Sequence, residues 1–136
     1  MHTCQLTVPA RPASLDQIHD LLDSLWSEQE RFPDADRLRF ETAVIEVAGN
    51  IVTHAAAAAR PGEVTVELTL SASPDEATAR FCDDGGAAEL DLARVRMPDT
   101  MAESGRGLAL TRALTDDLTY QRVGSANIWT LTCRRS

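Results

Sequence analysis

Apolar and polar residues alternate along Val64-Thr65-Val66-Glu67-Leu68-Thr69-Leu70, and again along Ala77-Thr78-Ala79-Arg80-Phe81-Cys82. A strand sends successive side chains to opposite faces, so this is the pattern of a half-buried strand. Between the two runs stands Ser73-Pro74-Asp75-Glu76, which predicts a hairpin with a loop longer than the tight two-residue kind. Residues 4–9 alternate more weakly and predict a strand stopped by Pro9. Near the other end, Tyr120-Gln121-Arg122-Val123 and Ile128-Trp129-Thr130-Leu131-Thr132 predict a closing hairpin around Gly124-Ser125-Ala126-Asn127.

Elsewhere the period lengthens. Leu15, Ile18, Leu21, Leu22, Leu25 and Trp26 form an apolar stripe at helical spacing over 15–30, with Ser14 as the expected N-cap. Pro33-Asp34 breaks that helix. A second is expected from Asp34 to Ala59, with Leu38, Ala43, Ile45, Ala48, Ile51 and Val52 toward the core and Pro61-Gly62 ending it. Residues 84–104 show no period, and so long an irregular stretch predicts a functional or mobile loop. A third helix is expected to begin near Arg106. The order βααββαββ, without repeats or linkers, predicts an α+β fold. Its form would be a two-layer α/β sandwich, a mostly antiparallel mixed sheet covered on one face by about three helices.

Composition narrows the functional classes. The chain has 136 residues, the size of a single domain, and a net charge of -8, which disfavours direct nucleic-acid binding. All 13 basic residues are arginine. A P-loop ATPase and a eukaryotic-type protein kinase both need a motif lysine, so neither is possible. Cys4, Cys82 and Cys133 are far apart, form no metal-binding spacing and read as reduced structural thiols. No apolar run is long enough to span a bilayer, and the first residues lack a secretory pattern, so a cytoplasmic location without membrane contact is expected.

Candidate chemistry starts with Glu46, Asn50 and His54, whose four-residue spacing places them on one face of the second helix. Glu46 reads either as a solvated helix glutamate or as a proton acceptor. Asn50 offers a carbonyl oxygen that a hard cation accepts. It is also a mediocre helix residue, set beside Gly49, a local conflict of the kind found at functional sites. His54 reads first as a packed or helix-end residue. Asp83-Asp84-Gly85-Gly86 follows a strand and is either a turn or a ligand contact, in which Asp83 accepts from an exocyclic amine and Gly85 admits a base. Gly105-Arg106-Gly107-Leu108 leads into a helix, either as a plain joint or as an anion site of helix-start amides and a fixed charge.

Taken together, Glu46…Asn50…His54, Asp83-x-Gly85, Gly105-Arg106-Gly107-Leu108 and the segment from Asp117 to Leu131 resemble the GHKL (Bergerat-fold) ATPase superfamily. Size and the Glu-Asn-His helix make the chain most similar to the anti-sigma-factor serine/threonine kinases. The resemblance implies a histidine-kinase-like ATPase fold and one ATPase/kinase domain over residues 1–136. It implies ATP and Mg²⁺ as cofactors. Glu46 would be the general base and Asn50 the Mg²⁺ ligand. Asp83 and Gly85 would hold adenine, Gly105, Arg106 and Gly107 the phosphates, with 87–104 as a lid. One departure is Ala87, where the family often has a second glycine.

The implied partners are a sigma factor of RNA polymerase and a STAS-type anti-anti-sigma protein as phosphorylation substrate, with a homodimer expected. Three alternatives stay open: a sequestration module that binds nucleotide without transfer, the same kinase core in a non-transcriptional pathway, and an interaction domain whose glycines only make turns.

Overall fold

The computed structural model describes residues 1–56, 64–86 and 103–136, apart from the side chains of 56 and 103–107. Its elements are β1 (His2–Pro9), α1 (Ser14–Glu28), α2 (Asp34–Ala56), β2 (Thr65–Ala72), β3 (Glu76–Asp83), α3 (Glu103–Leu114), β4 (Asp117–Val123) and β5 (Ala126–Arg134). The strands form one sheet in the order β1-β2-β3-β5-β4. Every pairing is antiparallel, so the expected parallel component is missing among the described strands. The predicted residues 57–59, the Pro61-Gly62 stop, the lid from 87 and Ala87 lie outside the described residues.

The alternation seen in the sequence sets the two faces. Val66, Leu68, Leu70 and Ala72 of β2, Ala77, Ala79 and Phe81 of β3, and Trp129, Leu131 and Cys133 of β5 are all buried. The intervening Thr65, Glu67 and Arg80 are exposed. Because side chains alternate, a one-residue slip in any pairing would turn these apolar rows to solvent, which fixes the register. Ser73 Oγ accepts the backbone N–H groups of Asp75 and Glu76, both at 3.2 Å, and shapes the β2–β3 loop. Gly124 has φ +59° and starts the two-residue β4–β5 loop, the backbone that glycine adopts without steric cost.

Ile18, Leu22, Leu25 and Trp26 of α1 and Phe40, Ala43, Val44, Val47, Ala48, Ile51 and Ala55 of α2 bury the helical side of this core. Trp26 stacks on Phe32 at 5.6 Å and meets Phe40 edge-on at 5.8 Å, which seals the α1–α2 corner.

Two expectations about the helices fail here. Leu38 is 67% exposed, because Phe40 and Val44 occupy the inward turn it was expected to fill. Ser14 is not the N-cap of α1. It is already helical, and its hydroxyl donates to the Pro9 carbonyl at 2.6 Å, fastening the helix to the end of β1.

Away from the concave end described below, Asp36 of α2 is almost fully buried. It accepts Arg39 Nη2 at 3.1 Å and the Ser136 backbone N–H at 3.1 Å. Arg39 also donates to the Leu114 and Arg134 carbonyls, tying α2 to the ends of α3 and β5. Burial alone disfavours the charged carboxylate, but the hydrogen bonds from Ser136 and Arg39 and the Arg39 charge outweigh it and hold Asp36 below its usual 3.8. A carboxyl whose pKa is lowered on folding stabilises the fold above the unfolded pKa, and that contribution is lost as pH falls through the folded one. Asp36→Asn is therefore expected to destabilise at neutral pH, with the gap from wild type closing once pH drops below 3.8. Urea midpoints of both proteins across that range check this; a constant gap would show that the charge is unimportant. In the same region burial pushes the Cys133 thiol up to about 11, so it stays protonated and inert at neutral pH.

Candidate functional site

At the C-terminal half of α2 the helix and the sheet separate, leaving an open concavity. Asn50, Ile51, His54 and Ala55 of α2 form one wall; Val64, Asp83, Gly85, Gly86, Asn127 and Trp129 form the other. Helical spacing puts Asn50 and His54 on the same wall. Antiparallel register brings Asp83 directly opposite Asn127.

Asp83 ends the buried face of β3 and is 4% exposed. Its Oδ1 accepts the Gly85 N–H at 2.9 Å and Asn127 Nδ2 at 2.9 Å. Its Oδ2 has no hydrogen bond to any described group. A buried carboxylate oxygen at a concavity, without a donor among the described residues, is suited to a ligand N–H, since burying it unsatisfied is costly. Adjacent Asp84 plays a different part: its Oδ1 accepts the Thr65 N–H at 2.7 Å and closes the start of β2. Gly85 suits this place, because a Cβ would stand 3.0 Å from Asp83 Oδ1 and 3.4 Å from Val64 Cγ1 and would press on the carboxylate.

Asn127 was the residue the sequence reading missed. Its place beside Gly124-Ser125 suggested a turn, yet it lies in β5 and is 2% exposed. Its Nδ2 donates to the Gly86 carbonyl at 2.8 Å as well as to Asp83, and its Oδ1 accepts Tyr120 Oη and Arg122 Nη1. Arg122 also donates to the Gly85 carbonyl at 2.7 Å. The available signal was the alternation itself: counted back from Trp129, position 127 falls on the buried face.

Of the residues singled out from sequence, Asn50, Asp83 and Gly85 share this concavity, joined by His54. Asn50 is half-buried and its side chain has no hydrogen bond to a described group, so its carboxamide oxygen is available to a cation. His54 Nε2 lies 3.1 Å from the Gly86 carbonyl, linking the end of α2 to the strand β3 exit. Glu46 is one turn earlier on α2, half-buried, and is not part of the lining. Gly105, Arg106 and Gly107 fall inside α3, which starts at Glu103 rather than near Arg106; their side chains are outside the described ones. No cluster of three or more His, Cys, Asp or Glu capable of holding a metal occurs among the described residues.

Chemically, the concavity offers an apolar slot with one carboxylate oxygen, unpartnered among the described residues, at its buried end and a carboxamide at its rim. A planar heterocycle bearing an amino group fits that slot, with Ile51, Ala55, Val64 and Trp129 excluding water from its faces. A hard cation fits the carboxamide, provided that other oxygens complete its shell, as phosphates and water commonly do for Mg²⁺. No helix among the described residues is long and apolar enough to cross a membrane.

Comparison with known proteins bears on this geometry. The profile of the family described as "Histidine kinase-like ATPase domain" matches residues 8–133. Among solved structures, the chain is similar to the crystal structure of the RsbU and RsbW domains of Rv1364c from Mycobacterium tuberculosis, with a TM-score of 0.69 and 17% identity. That match covers 98% of this chain and 32% of the other, so this chain spans about a third of its length. At this identity the likeness is one of fold. No curated protein matches the chain.

Proposed function

Because this chain belongs to the histidine kinase-like ATPase domain family, we propose that it is an ATP-dependent serine/threonine kinase and anti-sigma factor. Its substrate would be a STAS-type anti-anti-sigma protein, in a partner-switching pathway that regulates transcription. The observation that carries the nucleotide reading is Asp83 Oδ2, unpartnered among the described residues, at the buried end of an apolar concavity whose rim bears Asn50. Likeness in fold to a chain containing an RsbW domain favours the anti-sigma branch.

Bound Mg-ATP would supply the transferable phosphoryl group; the rest is positioning and charge neutralisation by the chain. Asp83 Oδ2 accepts the exocyclic amine of adenine, and Gly85 leaves room for the ring. Asn50 ligates Mg²⁺. Gly105, Arg106 and Gly107 contact the phosphates near the start of α3, where the helix dipole favours anions and the first helical N–H groups are free. Glu46 accepts the proton from the target hydroxyl as general base. A sigma factor is the second partner, and residues 1–136 act as one ATPase/kinase unit, with a homodimer expected from the family.

Mg-ATP titration followed by thermal melting tests the first part. A ligand at 100 times its Kd stabilises by about 2.7 kcal/mol, so a rise of several degrees is expected. An unchanged melting temperature would leave only a glycine-turned interaction domain. Incubation with γ-labelled ATP and a candidate STAS protein then tests transfer. The position of Glu46 outside the concavity lining favours one rival, nucleotide-dependent sequestration without transfer. Melting that responds to ATP, with no label on any STAS protein tried, would select that rival.

A further inference from the structure

The hydrogen bonds around Asn127 have a fixed direction. Arg122 Nη1, 3.1 Å from Asn127 Oδ1, can only donate. The Gly86 and Gly85 carbonyls, 2.8 and 3.3 Å from Nδ2, can only accept. The amide therefore has one orientation, with its NH₂ toward Asp83 and its oxygen toward Tyr120 and Arg122. In consequence Asp83 Oδ1 receives two donors, Asn127 Nδ2 and the Gly85 N–H, each at 2.9 Å. Both of its lone-pair sites are used, and among the described residues Oδ2 is left as an open acceptor.

We propose that Asn127 is a positioning residue for base selection: held by Tyr120 and Arg122, it locks Asp83 so that the concavity accepts an N–H and rejects a carbonyl at the same place. This rests on the nucleotide reading above and deepens it. The selected ligands are 6-aminopurine nucleotides, and the rejected ones carry a 6-oxo group. Selectivity thus depends on residues of β4 and β5 that act through Asp83. Without Asn127, Asp83 keeps one of its two anchoring donors and its carboxylate can turn.

ATP and ITP differ at the 6-position of the base, amino against oxo, so the ratio of their Kd values measures the proposed role. Isothermal titration of the full chain with each nucleotide and Mg²⁺ is expected to show wild type preferring ATP by about tenfold or more. Asn127→Ala should shrink that ratio by about tenfold, toward equal binding. Asn127 is buried, so this variant can fail to fold; Arg122→Met removes an exposed guanidinium and serves as the second variant. It should shrink the ratio about threefold, since Tyr120 still holds the amide. A merely structural role would weaken both nucleotides alike. A ratio within about twofold of wild type in the folded variants overturns the role of Asn127 alone. Wild type binding neither nucleotide overturns the site reading, and this proposal with it.

Discussion

Replacing Glu46 with Gln is expected to slow phosphoryl transfer to a hydroxyl-bearing protein target by about 10²–10⁴-fold, the usual contribution of a general base, with nucleotide affinity within about twofold of wild type. Gln keeps the length and shape of Glu but cannot accept the proton. Glu46 is half-buried on α2, one turn before Asn50 and outside the concavity that would hold the base. Its loss should therefore leave binding alone. Single-turnover transfer from labelled ATP, measured beside the Kd, separates the outcomes. A collapse of binding would make Glu46 a structural residue. An undiminished rate would place the proton acceptor elsewhere.

Asp83→Asn should act on the opposite half of the reaction, lowering ATP affinity by about 100-fold or more while the melting temperature stays within about 2 °C. The asymmetry follows from the hydrogen bonds. Oδ1 accepts from Gly85 and Asn127 and must remain an oxygen, so the new NH₂ group takes the place of Oδ2. A donor then meets the exocyclic amine of adenine, also a donor, and neither is satisfied. The protein's own bonds survive, which is why stability should hold. Calorimetry and a melting curve on one sample decide it. Full ATP affinity in a folded Asp83→Asn protein would remove Asp83 from the base site.

Much of this architecture could be read from period alone. The β2–β3 hairpin was clear because Val66, Leu68, Leu70, Ala77, Ala79 and Phe81 alternate without exception toward one buried face. Asn50 and Asp83 were legible as site candidates because each sits where its residue type is locally out of place or turn-forming. What escaped the sequence was long-range. Leu38 is apolar and at helical spacing, but which turn of α2 faces inward depends on where Trp26 and Phe32 pack. Ser14 has the composition of a cap, yet its hydroxyl finds a partner in β1. Asn127 looks like a turn residue because asparagine favours turns; only pairing with β3, 44 positions away, reveals a clamp. The start of α3 was misjudged because Gly105 and Gly107 are poor helix formers, a preference the fold overrides.

The sheet order β1-β2-β3-β5-β4 inserts β5 between two strands that precede it in the chain. During synthesis β3 must therefore wait with one edge open while α3 and β4 emerge. Asp83 meets Asn127 only after the last of these strands slides in. A nascent chain stopped before residue 126 would present Asp83 and Gly85 without their clamp, so ATP should not rescue it from proteolysis. Ligand-dependent protection would then appear late, as a marker that the final strand has been threaded home.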